Sequence, residues 1–242
     1  MTIYVGSARQ DENGKYSGGS AGDQTGKEVS TQAFYVHSKG WYILRPKSVT
    51  YANKLATAML EACNNANIGY DQNQRTTLLT QYNKTKSIKA ITTKCECDCS
   101  ALVRVCVLQA TGKDVGNFTT SNEATVLVNS GLFEKKTCSS SADVYNGDIL
   151  VTKTKGHTVI VTSGRARPST TTSSTSYYSK YTGSSTKIDT VFKAIGVPSN
   201  YYGSYTKRKP IAKANGYSSY TGTSAQNLAL IKLAKNGKLI KP

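Results

Sequence analysis

The chain predicts an α+β domain followed by a small helical module, and three observations carry that reading. Apolar residues recur at helical spacing within 52–63 and again form a run over 101–108. Two segments rich in β-branched residues, 148–152 and 157–162, are joined by Lys153-Thr154-Lys155-Gly156 and read as a hairpin. Beyond a Ser/Thr/Tyr tract, residues 188–242 hold three short helical patterns.

Each element has its own signals. Residues 6–28 are rich in Gly, Ser and Asp and read as loop. Within them Asp11-Glu12-Asn13-Gly14-Lys15-Tyr16 looks like a shortened calcium loop. It lacks the spaced acidic ligands and the terminal Glu, so a turn is expected there and no metal site. From Ser48, the positions Ala52, Leu55, Ala56, Met59, Leu60 and Cys63 predict a helix to about residue 65, and Gly69-Tyr70-Asp71-Gln72 breaks the pattern. A second helix opens at Cys99 with Asp98 as its cap and stops at Thr111-Gly112. Thr120-Ser121-Asn122-Glu123 reads as a capping box for a third, with Gly131 past its end. Pro168 to Thr186 contains neither acid nor amide side chains and reads as linker. The expected organisation is therefore 1–165, a linker over 166–187, and 188–242. In the last segment Val191, Phe192 and Ile195 mark one helix, 208–214 a second, and Ser224 caps a third that stops at Asn236-Gly237.

At 242 residues the chain is long enough for one domain of ordinary size and a smaller one. No apolar run approaches a bilayer span, and the start Met1-Thr2-Ile3-Tyr4-Val5-Gly6 lacks the basic and apolar regions of a signal peptide, so neither is expected. The net charge of +17 is uneven: residues 164–242 hold 13 Lys/Arg against one acid, Asp189. Such a segment draws polyanions. Its basic residues are scattered singly, apart from Lys207-Arg208-Lys209, which argues against nucleic acid as the partner. Among the six cysteines, Cys95, Cys97 and Cys99 alternate too tightly to pair with one another. They also lack the intervening residues and the second Cys/His cluster that zinc needs, so no cofactor is expected.

The chemistry lies in two short segments. Cys99 begins a helix, where the macrodipole and unpaired N–H groups favour thiolate over thiol. His157 opens a strand 58 positions later, where an imidazole can meet that thiol. A thiol nucleophile with an imidazole base points to acyl transfer on an amide or ester.

Asp98-Cys99-Ser100-Ala101-Leu102-Val103, then Gly147-Asp148-Ile149-Leu150-Val151, then Gly156-His157-Thr158-Val159-Ile160-Val161 resemble the NlpC/P60 and CHAP group of cysteine peptidoglycan hydrolases. The likeness in order, spacing and flanks covers roughly residues 95–163. The 21–29 block and the Trp41 to Pro46 stretch resemble the front end of bacteriophage-encoded enzymes of that kind. The resemblance implies a papain-like catalytic domain, Cys99 as nucleophile and His157 as base. It also implies lysis of cell walls by an enzyme made in the host cytoplasm, with the basic tail targeting peptidoglycan and anionic wall polymers. Gln24 is the candidate oxyanion donor, Asp23 or Glu28 the candidate orienting group for the imidazole, and Tyr70, Asp71, Gln72 and Ser100 candidates for lining the substrate groove. His37 reads as a surface or cleft residue. The family pattern is incomplete, because 158–187 contains no Asp, Glu, Asn, Gln or His to orient the imidazole. Either an upstream group or a Ser/Thr or backbone carbonyl takes that place. A non-catalytic basic binding protein and a cysteine-protease toxin of the same fold are the competing readings. The sequence does not choose between endopeptidase and amidase, nor an oligomeric state.

Overall fold

Strand alternation organises the first of the two units into which the chain divides, Met1–Pro168 and Ser169–Pro242. The computed structural model describes residues 2–167 and 176–242, and the first part of the expected linker, 168–175, lies outside them. The strands in chain order are β1 (Tyr4–Ala8), β2 (Val29–Ala33), β3 (Trp41–Pro46), β4 (Ile68–Tyr70), β5 (Cys95–Cys97), β6 (Phe133–Cys138), β7 (Ile149–Thr152) and β8 (Thr158–Ser163). Six of them form an antiparallel sheet in the order β2-β1-β8-β7-β3-β6, and β4 and β5 form a separate parallel pair. The helices are α1 (Val49–Cys63), α2 (Thr77–Thr85), α3 (Cys99–Thr111) and α4 (Glu123–Asn129) here, and α5 (Ile188–Ala194), α6 (Tyr205–Ala214) and α7 (Ser224–Lys235) in the second unit. The protein is a mixed α+β chain.

The sheet is covered on both faces, which is why its central strands read as near-continuous apolar runs. Leu44, Ile149, Val151 and Ile160 share one core with Leu55 and Met59 of α1 and Leu102 and Cys106 of α3. The alternate positions, Val5, Trp41, Ile43, Leu150, Val159 and Val161, build a second core with Phe34 and Tyr35 against them. Contact between α1 and the sheet is close enough to fix a glycine. A Cβ on Gly6 of β1 would stand 2.5 Å from Met59 Cγ. Both faces therefore hold the hairpin β7–β8 in one register, and with it the position of whatever sits where β8 begins.

Helix α3 forms as its sequence predicts. Asp98 accepts from the Ala101 N–H at 2.7 Å, and the helix closes at Gly112 with φ of 74°. Helix α4 forms without the expected capping box: its cap is Asn122, whose side chain makes no capping bond, and Glu123 turns inward to a different partner.

The second unit has its own core of Ile188, Val191, Phe192, Ile211, Ala212, Leu230, Ile231, Ala234 and Leu239 from its three helices and the chain end. Tyr178 belongs to that core, and its N–H donates to the Leu239 carbonyl at 2.8 Å. Residues 176–187, linker on composition, are therefore partly built into the unit, because tyrosine supplies apolar area that a Ser/Thr count hides. The cap of α7 is Thr223 rather than Ser224, in a reciprocal box with Gln226. Arg208 is buried, and donates to Asp189 at 2.8 Å and to the Tyr220 hydroxyl at 3.0 Å. The centre of the one basic cluster thus ties α6 to α5 and leaves Lys207 and Lys209 to the surface.

Candidate active site

Strand β5 leads through the cap Asp98 into α3, so Cys99 sits at the helix N-terminus, only 9% exposed. His157 stands immediately before β8 and is fixed through its backbone: its N–H donates to Thr152 Oγ1, and its carbonyl accepts from the Thr152 N–H, both at 3.0 Å. Cys99 and His157 line one open cleft of about 610 Å³. Its other walls are Arg9, Gln10, Tyr16, His37, Lys39, Tyr70, Gln72, Lys155 and Gly156. Tyr70 and Gln72 are thus in the cleft as their sequence suggests, with Gln72 Nε2 donating to the Tyr70 hydroxyl at 3.1 Å. His37 is in it too.

Because β1 lies beside β8, it brings Ser7 to the imidazole, with Ser7 Oγ 3.3 Å from His157 Nε2. Ser7 is fully buried. A buried hydroxyl, and no acid or amide, is the side-chain partner of the imidazole among the described residues.

The electrostatics differ from the thiolate expectation. Burial, helped by the carboxyl groups of Asp98 and Glu123 and partly offset by the N–H groups of Thr158 and Ser100, pushes the Cys99 thiol up to about 12. Burial outweighs the helix dipole, and the cap Asp98 adds an anion at the same helix end that would have stabilised a thiolate. Burial, with smaller contributions from Arg9 and His37, lowers His157 to about 4. Near neutral pH the pair is thus a thiol beside a neutral imidazole. Glu123 is fully buried next to them, and its Oε1 accepts from Thr158 Oγ1 at 2.7 Å. Its Oε2 has no partner among the described residues, and burial pushes the group up to about 8.

The remaining sequence candidates lie elsewhere. Gln24 Nε2 donates to the Ala21 and Gly22 carbonyls at 2.8 Å each, inside its own loop. Asp23 Oδ1 accepts from the N–H groups of Thr25 and Gly26, and Glu28 from those of Gln24 and Tyr70. Asp71 is buried and accepts from Gly18 and Asn73. Ser100 is buried between Asp98 and Arg75. None of these five lines the cleft. They are polar groups that hold irregular backbone in place, a task that shares its residue types with catalysis. Asp11 closes its turn by accepting from Asn13 and Lys15. Among the described residues no group of three or more His, Cys, Asp or Glu has the arrangement to hold a metal ion, and no helix is long and apolar enough to cross a membrane. All six thiols are free.

Sequence reasoning missed Ser7, Arg9 and Glu123. The pairing of β1 with β8, from sequence positions some 150 residues apart, brings Ser7 to the imidazole and Arg9 to the cleft wall. The one available signal for Glu123 was an acid directly ahead of an apolar helix face, and it reads equally well as a cap.

Residues 5–168 match the model of a family described as an endolysin-like domain. No curated protein and no solved structure matches the chain.

Proposed function

Because the chain belongs to the endolysin-like domain family, we propose that it is a peptidoglycan hydrolase of the cysteine type, with a papain-like catalytic unit of the NlpC/P60 and CHAP kind. The observation that carries this reading is a buried helix-start cysteine and a strand-start histidine on the walls of one cleft, with the imidazole anchored by Ser7. With Nε2 held by the hydroxyl, Nδ1 is the nitrogen left to take a proton. Cys99 attacks the carbonyl carbon of a stem-peptide amide as His157 removes the thiol proton. The same proton then goes to the leaving amine as the C–N bond breaks, and water attacks the thioester to return the thiol and release a carboxylic acid. The Tyr70 hydroxyl, kept protonated by burial, held by Gln72 and lining the same cleft, serves as donor to the developing oxyanion in this reading. The bond cut is either a peptide bond of the stem or the lactyl amide that joins stem to sugar.

The second unit serves as wall-targeting module. It contains neither Cys nor His, carries 11 Lys/Arg against one acid over 176–242, and has a core of its own. Polyanionic wall polymers attract that charge, so binding of residues 176–242 to purified walls should weaken as salt shortens the electrostatic reach. Retention of nucleic acid but not of walls would remove the targeting role.

Zymograms on Gram-positive walls test the catalytic reading. Cys99→Ala and His157→Ala should each lower lysis at least about a hundredfold while the fold persists. A Cys99→Ala protein that lyses walls at the wild-type rate sinks the mechanism. Mass spectrometry of the fragments names the bond. With the imidazole lowered to about 4, kcat/KM on a soluble fragment should fall on the acid side near pH 4, well below the usual histidine range.

A further inference from the structure

Arg9, Lys39 and Lys155 give the cleft three cations, and no Asp or Glu lines it. Arg9 stands two residues past Ser7, so its guanidinium arrives with the strand that anchors His157. Two of its nitrogens donate to Ser30, to Oγ at 2.5 Å and to the carbonyl at 2.9 Å. Its Nε is buried with no partner among the described residues. Lys39 Nζ donates to the Lys155 carbonyl at 2.5 Å, which draws the β2–β3 connection against the β7–β8 turn and sets both ammonium groups on one rim. Among the described residues none of the three cations makes an ion pair.

The acids nearest in sequence, Asp11, Glu12 and Glu28, share a neighbouring pocket with Arg9 but make no ion pair with it and are held by backbone N–H groups. Asp11 accepts from Lys15 N–H, Glu12 from Ser20 N–H, and Glu28 from the N–H groups of Gln24 and Tyr70. A guanidinium without an ion-pair partner, lining an open cleft together with two exposed lysines, is an attractive point for an anion.

We infer that the cleft takes an acidic peptide, one that sets a free carboxylate against Arg9, Lys39 and Lys155 while its scissile amide faces Cys99. The inference rests on the hydrolase reading above and adds the charge its substrate must carry. It has a consequence for rate as well as affinity. When the thiol proton moves to His157, an imidazolium forms beside Arg9 and His37. Among the described residues no carboxylate lines the cleft to meet it: Glu123 faces Thr158 and Asp98 faces Arg75. A substrate carboxylate on Arg9 supplies the missing negative charge during the reaction, so its loss should lower kcat and not only raise KM.

The test uses the full chain and two soluble muropeptides, each a stem peptide still joined to its lactyl sugar, identical except that the peptide's carboxyl groups are free in one and carboxamides in the other. The free acid should be cleaved with kcat/KM at least about tenfold higher, the factor a modest charge contact provides. Arg9→Gln should bring the ratio toward one. Arg9 is part-buried, so the double variant Lys39→Gln/Lys155→Gln, on exposed side chains, provides a second measurement and should also lower the ratio. Equal cleavage of both peptides by the wild type overturns the inference and leaves the hydrolase reading standing. A preference that survives in both variants overturns it as well. Cleavage of neither peptide, with wild type and Cys99→Ala indistinguishable on whole walls, overturns both.

Discussion

At the two ends of the β7–β8 hairpin a buried carboxyl group is handled in opposite ways. Ahead of β7, Asp148 meets Arg45 at 2.7 Å and also accepts from the Tyr145 N–H at 2.8 Å. Where β8 begins, Glu123 meets a hydroxyl and nothing positive, and stays protonated to about pH 8. The first end is scaffold: the chain buries a full charge there and neutralises it on the spot. The second end adjoins the thiol. An ionised Glu123 would push Cys99 still higher, and a cation placed to hold it would stand near the His157 imidazole, which becomes positive in the proposed mechanism. A neutral acid satisfied by Thr158 avoids both. A buried carboxylate is thus kept charged only at the end of this hairpin away from the cleft.

That contrast can be broken. Asp148→Ala leaves the buried Arg45 guanidinium without its counter-charge, a loss of about 3–5 kcal/mol that approaches the whole stability of a domain. Thermal melting should show a large fall or no transition, and a variant that melts like the wild type would mean that this end is not held by charge.

Glu123→Gln should act the other way, and with pH. The folded acid titrates near 8 against about 4.5 when unfolded. Between those values the native state keeps a proton that the unfolded chain releases, so stability drains from the wild type as pH rises through that window. Below it there is no loss, and above it no more. Glutamine cannot ionise. The urea midpoint of the variant should therefore gain on the wild type from pH 5 to pH 8, by more than about 1.4 kcal/mol, the worth of one pH unit. A constant difference would mean that Glu123 is already charged in the fold.

The smallest effect belongs to the hydroxyl. Thr158→Val keeps the shape but removes the donor to Glu123, at about 1 kcal/mol. Because that bond holds the acid down, its loss should move the Glu123 titration to higher pH.

The sequence exposes those parts of the molecule whose causes are local. Helices α1 and α3, the β7–β8 hairpin and the three C-terminal helices follow from apolar spacing and stop residues within a single window. Strands β1, β2, β3 and β6 do not. Lys135 and Lys136 in β6 carry no apolar alternation, and the strand exists because Phe133 to Cys138 pairs with β3, some 90 residues earlier. The site divides the same way. Cys99 and His157 announce themselves by what flanks them. The partners of that pair do not, because Ser7 and Arg9 are ordinary residues until β1 is laid against β8, and Glu123 passes for a helix cap until its side chain is seen to point inward. The acids and amides of 23–28 made the opposite error possible, since polar side chains beside glycine serve turns more often than chemistry.

Gly147 holds a φ of 81°, and a Cβ on it would stand 2.0 Å from the Ala52 carbonyl oxygen, so no other residue fits between α1 and the sheet. With Asp148 tied to Arg45, this dipeptide marks the chassis and not the engine. In a lineage that lost its thiol and imidazole and kept the fold for binding alone, both residues should persist. Chains gathered by that dipeptide would therefore include silent ones, and a serine at the position of Ser7, which has no duty apart from the histidine, should be among the first residues to drift in them.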